Sequence, residues 1–202
     1  VLTLHRLVVE LKNLANQQRF PLSSDEHAAY RAIVLHSEGK AKMKDLQEGQ
    51  QSLRALDSLS NLQPAGGLTN LIVENRQQIA FILARGCLNL ACMELEEMFP
   101  PPMQKAEQKA FCARLNTLAT EPVNFSLLQE LRNFVLDALI EESDGYHMGH
   151  FWQQVRLLAP ILINSLDTLA LASMGAAESG TAKRNQVNQP HNQHGFRVLQ
   201  AS

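Results

Sequence analysis

Over the first 18 residues, Leu4, Leu7, Val8, Leu11, Leu14 and Ala15 recur at spacings of three and four. That period predicts an amphipathic helix, which Pro21 must follow rather than extend. Ser23 with Glu26 three residues later is a capping-box pattern and predicts a second helix over 24–37, broken at Gly39. A third helix is expected over 40–60. Its apolar positions are Met43, Leu46, Leu53 and Leu56, with Gly49 and Gln50 between them and Lys, Gln, Asp and Glu around the rest. So narrow a seam packs against one or two neighbours, which makes these four residues candidates for contact with a partner. The run Gln63-Pro64-Ala65-Gly66-Gly67 reads as a connector. It follows a helix rather than a strand and has no Lys-Ser/Thr after it, so it is not a phosphate cradle.

The pattern then predicts a helix over 68–98 whose second half is apolar almost all round, which places it in the middle of the fold. Gly86 within it costs about 1 kcal/mol of helix propensity relative to Ala, a loss that close approach of another helix would offset. The apolar run 79–93 falls short of the roughly 20 residues that span a bilayer, so the expectation is a core helix and no transmembrane segment. Phe99 and Pro100-Pro101-Pro102 stop the helix. A fifth helix over 102–118 turns Ala106, Ala110, Phe111, Leu115 and Leu118 inward. After Glu121-Pro122, Ser126 with Gln129 suggests another capping box, and Leu127, Leu128, Leu131, Phe134, Val135, Ala138 and Leu139 line a sixth helix. Asp144, Gly145 and Gly149 interrupt the pattern before a seventh helix over 150–174, in which Pro160 should cause a kink or a split. Residues 175–202 are mostly polar and have no evident core of their own. The expected architecture is all-α: a single bundle domain of six to eight helices over 1–174 around one long central apolar helix, followed by a flexible polar tail over 175–202 that docks only if something holds it.

Composition agrees with that class. The chain has 32 Leu, 22 Ala and 17 Gln against 10 Val, 7 Ile and 6 Thr. Helix formers thus outnumber β-branched residues. Hydrophobic residues make up 45% and charged residues 19%, with a net charge of −2. That balance excludes a strongly basic nucleic-acid binder and an acidic disordered chain. The charge is unevenly placed: 126–174 holds two basic and six acidic residues, and the tail three basic and one acidic. In the tail, Phe196, Val198 and Leu199 are the closely spaced apolar residues, suited to an extended segment lying in a groove or to recognition by a transport machine.

Candidate chemistry is sparse. Cys87, Cys92 and Cys112 show no Cys-x-x-Cys or Cys₂His₂ spacing. They read as reduced core cysteines of a cytoplasmic protein, with no structural zinc. The densest polar run is 141–150, where Asp144, His147 and His150 are spaced three apart and Glu142 lies near His147. It reads as a solvated loop, with metal binding or acid–base use as the sharper alternatives. Glu94, Glu96 and Glu97 lead into Phe99 and Pro101, an exposed ridge that suits a partner. His191 and His194 lie in the polar tail, and Lys40, Lys42 and Lys44 lack interleaved aromatics. No Gly-x-Ser-x-Gly, Walker A, His-Glu-x-x-His or paired Glu-x-x-His motif occurs. The sequence therefore favours a non-enzymatic interaction module, an adaptor, chaperone or scaffold subunit, with protein partners or a second copy of itself and no cofactor. Partner contacts are expected at Met43, Leu46, Leu53, Leu56, Phe99, Pro101, Phe196, Val198 and Leu199. The alternatives are a helical domain that senses a small ligand or metal, and an enzyme using Glu/His pairs.

Overall fold

The computed structural model describes residues 3–17, 22–59, 67–140 and 149–187, backbone only at 57–59, 140 and 175–187. Among them there are eight α-helices and no strand: α1 (Leu4–Gln17), α2 (Ser24–Ser37), α3 (Met43–Leu59), α4 (Gly67–Glu74), α5 (Arg76–Met98), α6 (Ala106–Thr120), α7 (Phe125–Ile140) and α8 (His150–Val187). A 3₁₀ turn, Pro101–Met103, joins α5 to α6.

Local signals set several boundaries as expected. At the start of α2 the Ser23 N–H donates to Glu26 Oε2 at 2.8 Å and the Glu26 N–H donates to Ser23 Oγ at 3.2 Å, a complete capping box. The cap of α7 is different from the expected one. Asn124 Oδ1 accepts from the N–H groups of Ser126 and Leu127 at 3.0 and 3.2 Å, so the helix starts before Ser126 can cap it. The expected 68–98 helix is two helices. At Asn75 the backbone leaves helical geometry (φ −105°, ψ 13°), and the Asn75 side-chain amide donates to the Leu71 carbonyl at 2.9 Å, where its own backbone N–H also points. Helix α8 runs through Pro160 without a split, and its helical backbone continues past Met174 to Val187. Pro160 is exposed.

The core has two parts, and α5 belongs to both. Ile79, Leu83 and Cys87 join Leu7, Leu11, Ile33, Leu46, Leu68 and Ile72 in one cluster built by α1–α4. Ala84, Leu88, Ala91, Cys92 and Leu95 join residues of α6, α7 and α8 in the other. Spacings of three and four on two sides of one helix explain why α5 is apolar nearly all round. Of its candidate core residues Leu83 is fully buried, while Phe81, Ile82 and Leu90 are half-buried.

Close approach lets α2, α3 and α5 share the first cluster. A Cβ added at Gly49 would lie 2.4 Å from Ala32 Cβ, and one at Gly86 would lie 2.9 Å from Leu46 Cδ1 and 3.0 Å from the His36 ring. The expected role of Gly86 is therefore met by α3 and by the end of α2. Between α3, α5 and α8 lies a buried polar knot. Gln50 Nε2 donates to Cys87 Sγ at 3.1 Å, and Gln50 Oε1 accepts from Asn164 Nδ2 at 3.1 Å and Thr168 Oγ1 at 3.5 Å. Burial pushes the Cys87 thiol up to about 11, so it stays a neutral, unreactive partner.

Gly49→Ala should destabilise the protein by about 1–3 kcal/mol through overpacking, despite alanine's better helix propensity. Ala32→Gly in the same chain should recover most of that loss. Urea denaturation of the two single variants and the double variant checks this; additive losses would show that the two sites do not touch.

Candidate interaction surfaces

The candidate contact residues separate into three groups. Leu46, Leu53 and Leu56 are no more than 5% exposed and belong to the first core cluster, packed among residues of α2 and α5. Met43 is half-buried and touches both clusters. This corrects the seam as a partner surface: the chain's own helices cover it, because α3 lies between α2 and α5 rather than at the edge of the fold. Phe196, Val198 and Leu199 lie outside the described residues, as do residues 141–148 of the polar run and His191 and His194. His150 is exposed at the start of α8.

The third group is the ridge after α5. Phe99 is half-buried, its ring edge-on to Phe151 at 5.4 Å. Phe151 also meets Trp152 at 4.8 Å and Phe111 at 6.2 Å, and Phe134 meets Trp152 at 5.1 Å. These centroid distances lie within the favourable range for aromatic pairs. Below the ridge, the amide of nearly buried Gln104 donates to the Phe99 carbonyl at 2.6 Å. The turn itself is closed by the Met103 N–H on the Pro100 carbonyl at 2.8 Å. The ridge is thus fixed from below, and it presents Met98, Pro101 and Met103 outward, Met103 at 81% exposure. The glutamates before it divide: Glu94 accepts from Gln154 of α8 at 2.7 Å, while Glu96 and Glu97 are exposed.

A further surface was not identified from the sequence. On α8, Gln153, Leu157, Pro160, Asn164, Asp167, Leu171 and Met174 follow alternating steps of four and three, a heptad seam on the outer side. Leu157, Leu171 and Met174 are 74%, 71% and 56% exposed. The polar middle is tied to the bundle: Asn164 bonds to Gln50 and Arg54 of α3, and Arg132 Nε of α7 donates to Asp167 at 2.7 Å. The opposite face of the same helix carries Val155, Leu158, Leu162, Leu166 and Leu169 into the core. A sequence read for one inward stripe does not separate the two, since both are apolar at helical spacing.

The described residues thus form an all-α bundle with an outward apolar seam on its last helix. In comparisons with known proteins, no family model, characterised protein or solved structure matched the chain. Two helices, Arg76–Met98 and His150–Met174, are long and apolar enough to cross a membrane by length and composition. Half of the apolar window is buried inside the bundle in the first and a third in the second. The first includes the 79–93 run, which extends to 23 helical residues once its polar ends are counted.

Phe151→Ala should cost about 3–5 kcal/mol in a urea unfolding experiment, as expected for a buried aromatic. Met103→Ser should change stability by less than about 0.5 kcal/mol, as a surface residue that supports nothing beneath it.

Proposed function

We propose that this chain is a non-enzymatic interaction module that pairs with a second copy of itself through the outer face of α8. The observation that carries the reading is the exposed apolar residues Leu157, Pro160, Leu171 and Met174, set at heptad positions on the outer face of that helix. Read antiparallel about a point between Asn164 and Asp167, the seam is self-complementary. Leu157 faces the second copy's Met174, Pro160 faces its Leu171, and the polar middle faces the polar middle. Such a twofold, isologous contact closes on itself and forms no open chain. Polar groups at the centre of a seam set register at some expense of affinity. In a dimer of this kind the ridge Met98–Met103 remains available on each copy for a different protein, which suits an adaptor or scaffold subunit.

Sedimentation equilibrium should give a concentration-dependent dimer mass. The double variant Leu157→Glu/Leu171→Glu should be monomeric with an unchanged far-UV spectrum. Burial of one Leu is worth about 1.5–3 kcal/mol, so the loss should exceed about 100-fold in Kd. A wild-type chain that stays monomeric throughout, a double variant that still dimerises, or a monomer that partitions into lipid vesicles through α8 would each overturn the reading.

A further inference from the structure

A second feature, independent of the α8 seam, lies between α5 and α6. Cys92 and Glu96 are four residues apart on α5 and therefore share one face. Cys112 comes from α6, which packs on that face. One ligand atom from each of the three, the two Sγ atoms and a Glu96 carboxylate oxygen, lies within 4.8 Å of the others. Tetrahedral zinc with bonds of about 2.3 Å to sulfur sets ligand sulfurs about 3.8 Å apart, so small side-chain rotations close the set around an ion. The two sulfurs are buried, while Glu96 is exposed beside a cavity of about 310 Å³ that opens between the helices and supplies an entry path.

We propose that Cys92, Glu96 and Cys112 form a zinc site that joins α5 to α6, with its fourth position open to water or to a ligand from a partner. Two thiolates select a soft or borderline divalent ion over calcium or magnesium, and a carboxylate completes a set familiar to zinc. On binding, both thiol protons leave to solvent and the sulfurs bind as thiolates. The Cys92 thiol donates to the Cys112 carbonyl at 3.5 Å, and the Gln104 amide donates to the Cys112 sulfur at 4.0 Å. Lys109 lines the same cavity, near the net negative charge that two thiolates and a carboxylate leave on a zinc ion. Gln104 is placed as an outer donor to the Cys112 sulfur, held by its bond to the Phe99 carbonyl. The site therefore sits directly beneath the Met98–Met103 ridge, and loading would tighten the turn that presents it.

The test is cobalt titration of the full, reduced chain, followed by competition with zinc. The expected result is one Co²⁺ per chain with a thiolate-to-cobalt charge-transfer band that zinc abolishes. Cys112→Ser should remove the band, and Cys87→Ser should leave it unchanged. Glu96→Gln, a surface change that leaves the fold intact, should weaken cobalt binding at least about tenfold, since even outer-shell partners are worth about 10–100-fold. No band in protein with three titratable thiols, or a band that survives both Cys92→Ser and Cys112→Ser, would overturn the proposal. So would reduced protein that ignores cobalt yet cross-links Cys92 to Cys112 under mild peroxide, which would make the pair a redox couple instead.

Discussion

Everything in this fold depends on α5 being packed on two sides at once. A helix with apolar residues on opposite faces gains little from lying on a surface, so it is driven to the middle and needs a layer on each side. The first layer, α1–α4, covers Ile79, Leu83 and Cys87, and the second, α6–α8, covers Ala84, Leu88, Ala91 and Leu95. α5 is the main wall the two layers share, with Ile161 of α8 also packed against both clusters. The small residues at the crossings follow from this demand. At Gly49 and Gly86 a methyl group would collide with Ala32, or with Leu46 and His36. Here the propensity lost by glycine is offset by helices that approach more closely than side chains would allow.

An apolar core specifies volume better than it specifies rotation, and the Gln50 knot supplies what is missing. Its partners come from α5 and α8, so a slip of α3 along either helix would strand a buried amide. An unmet buried donor or acceptor costs about 1–3 kcal/mol, enough to reject a shifted register. The bond between Arg132 and Asp167 ties α7 to α8 in a more exposed place, where an ion pair adds less. The same knot anchors Asn164 in the middle of the outer seam, so the surface proposed for pairing is oriented by the polar centre of the core.

The outward features also share a support. Phe99 and Gln104 hold the ridge between α5 and α6, and Gln104 reaches the thiol of Cys112. Phe151, at the start of α8, receives the Phe99 ring. The ridge, the thiol–carboxylate cluster and the first turn of α8 are therefore linked by one continuous series of side-chain contacts.

The sequence by itself determined the all-helical class, the capping box at Ser23 and Glu26, and the stop at Pro100–Pro102, and its reading of the apolar run 79–93 as a central helix fits the place of α5 in both clusters. Each of these depends on residues within about four positions of one another or on a period along a single helix, which is what a linear reading contains. It also suggested a close approach at Gly86. Tertiary structure alone decided which apolar seams are covered. Leu46, Leu53 and Leu56 look as available as Leu157 and Leu171 when read along the chain, but α2 and α5 cover the first three and no described helix covers the other two. The break at Asn75 and the cap at Asn124 turned on a single side chain competing for backbone groups. The meeting of Cys92 and Glu96 with Cys112 depends on α6 folding back on α5, and a pairing 20 residues apart leaves no local signal: the atoms that would bind an ion become neighbours only when two helices pack.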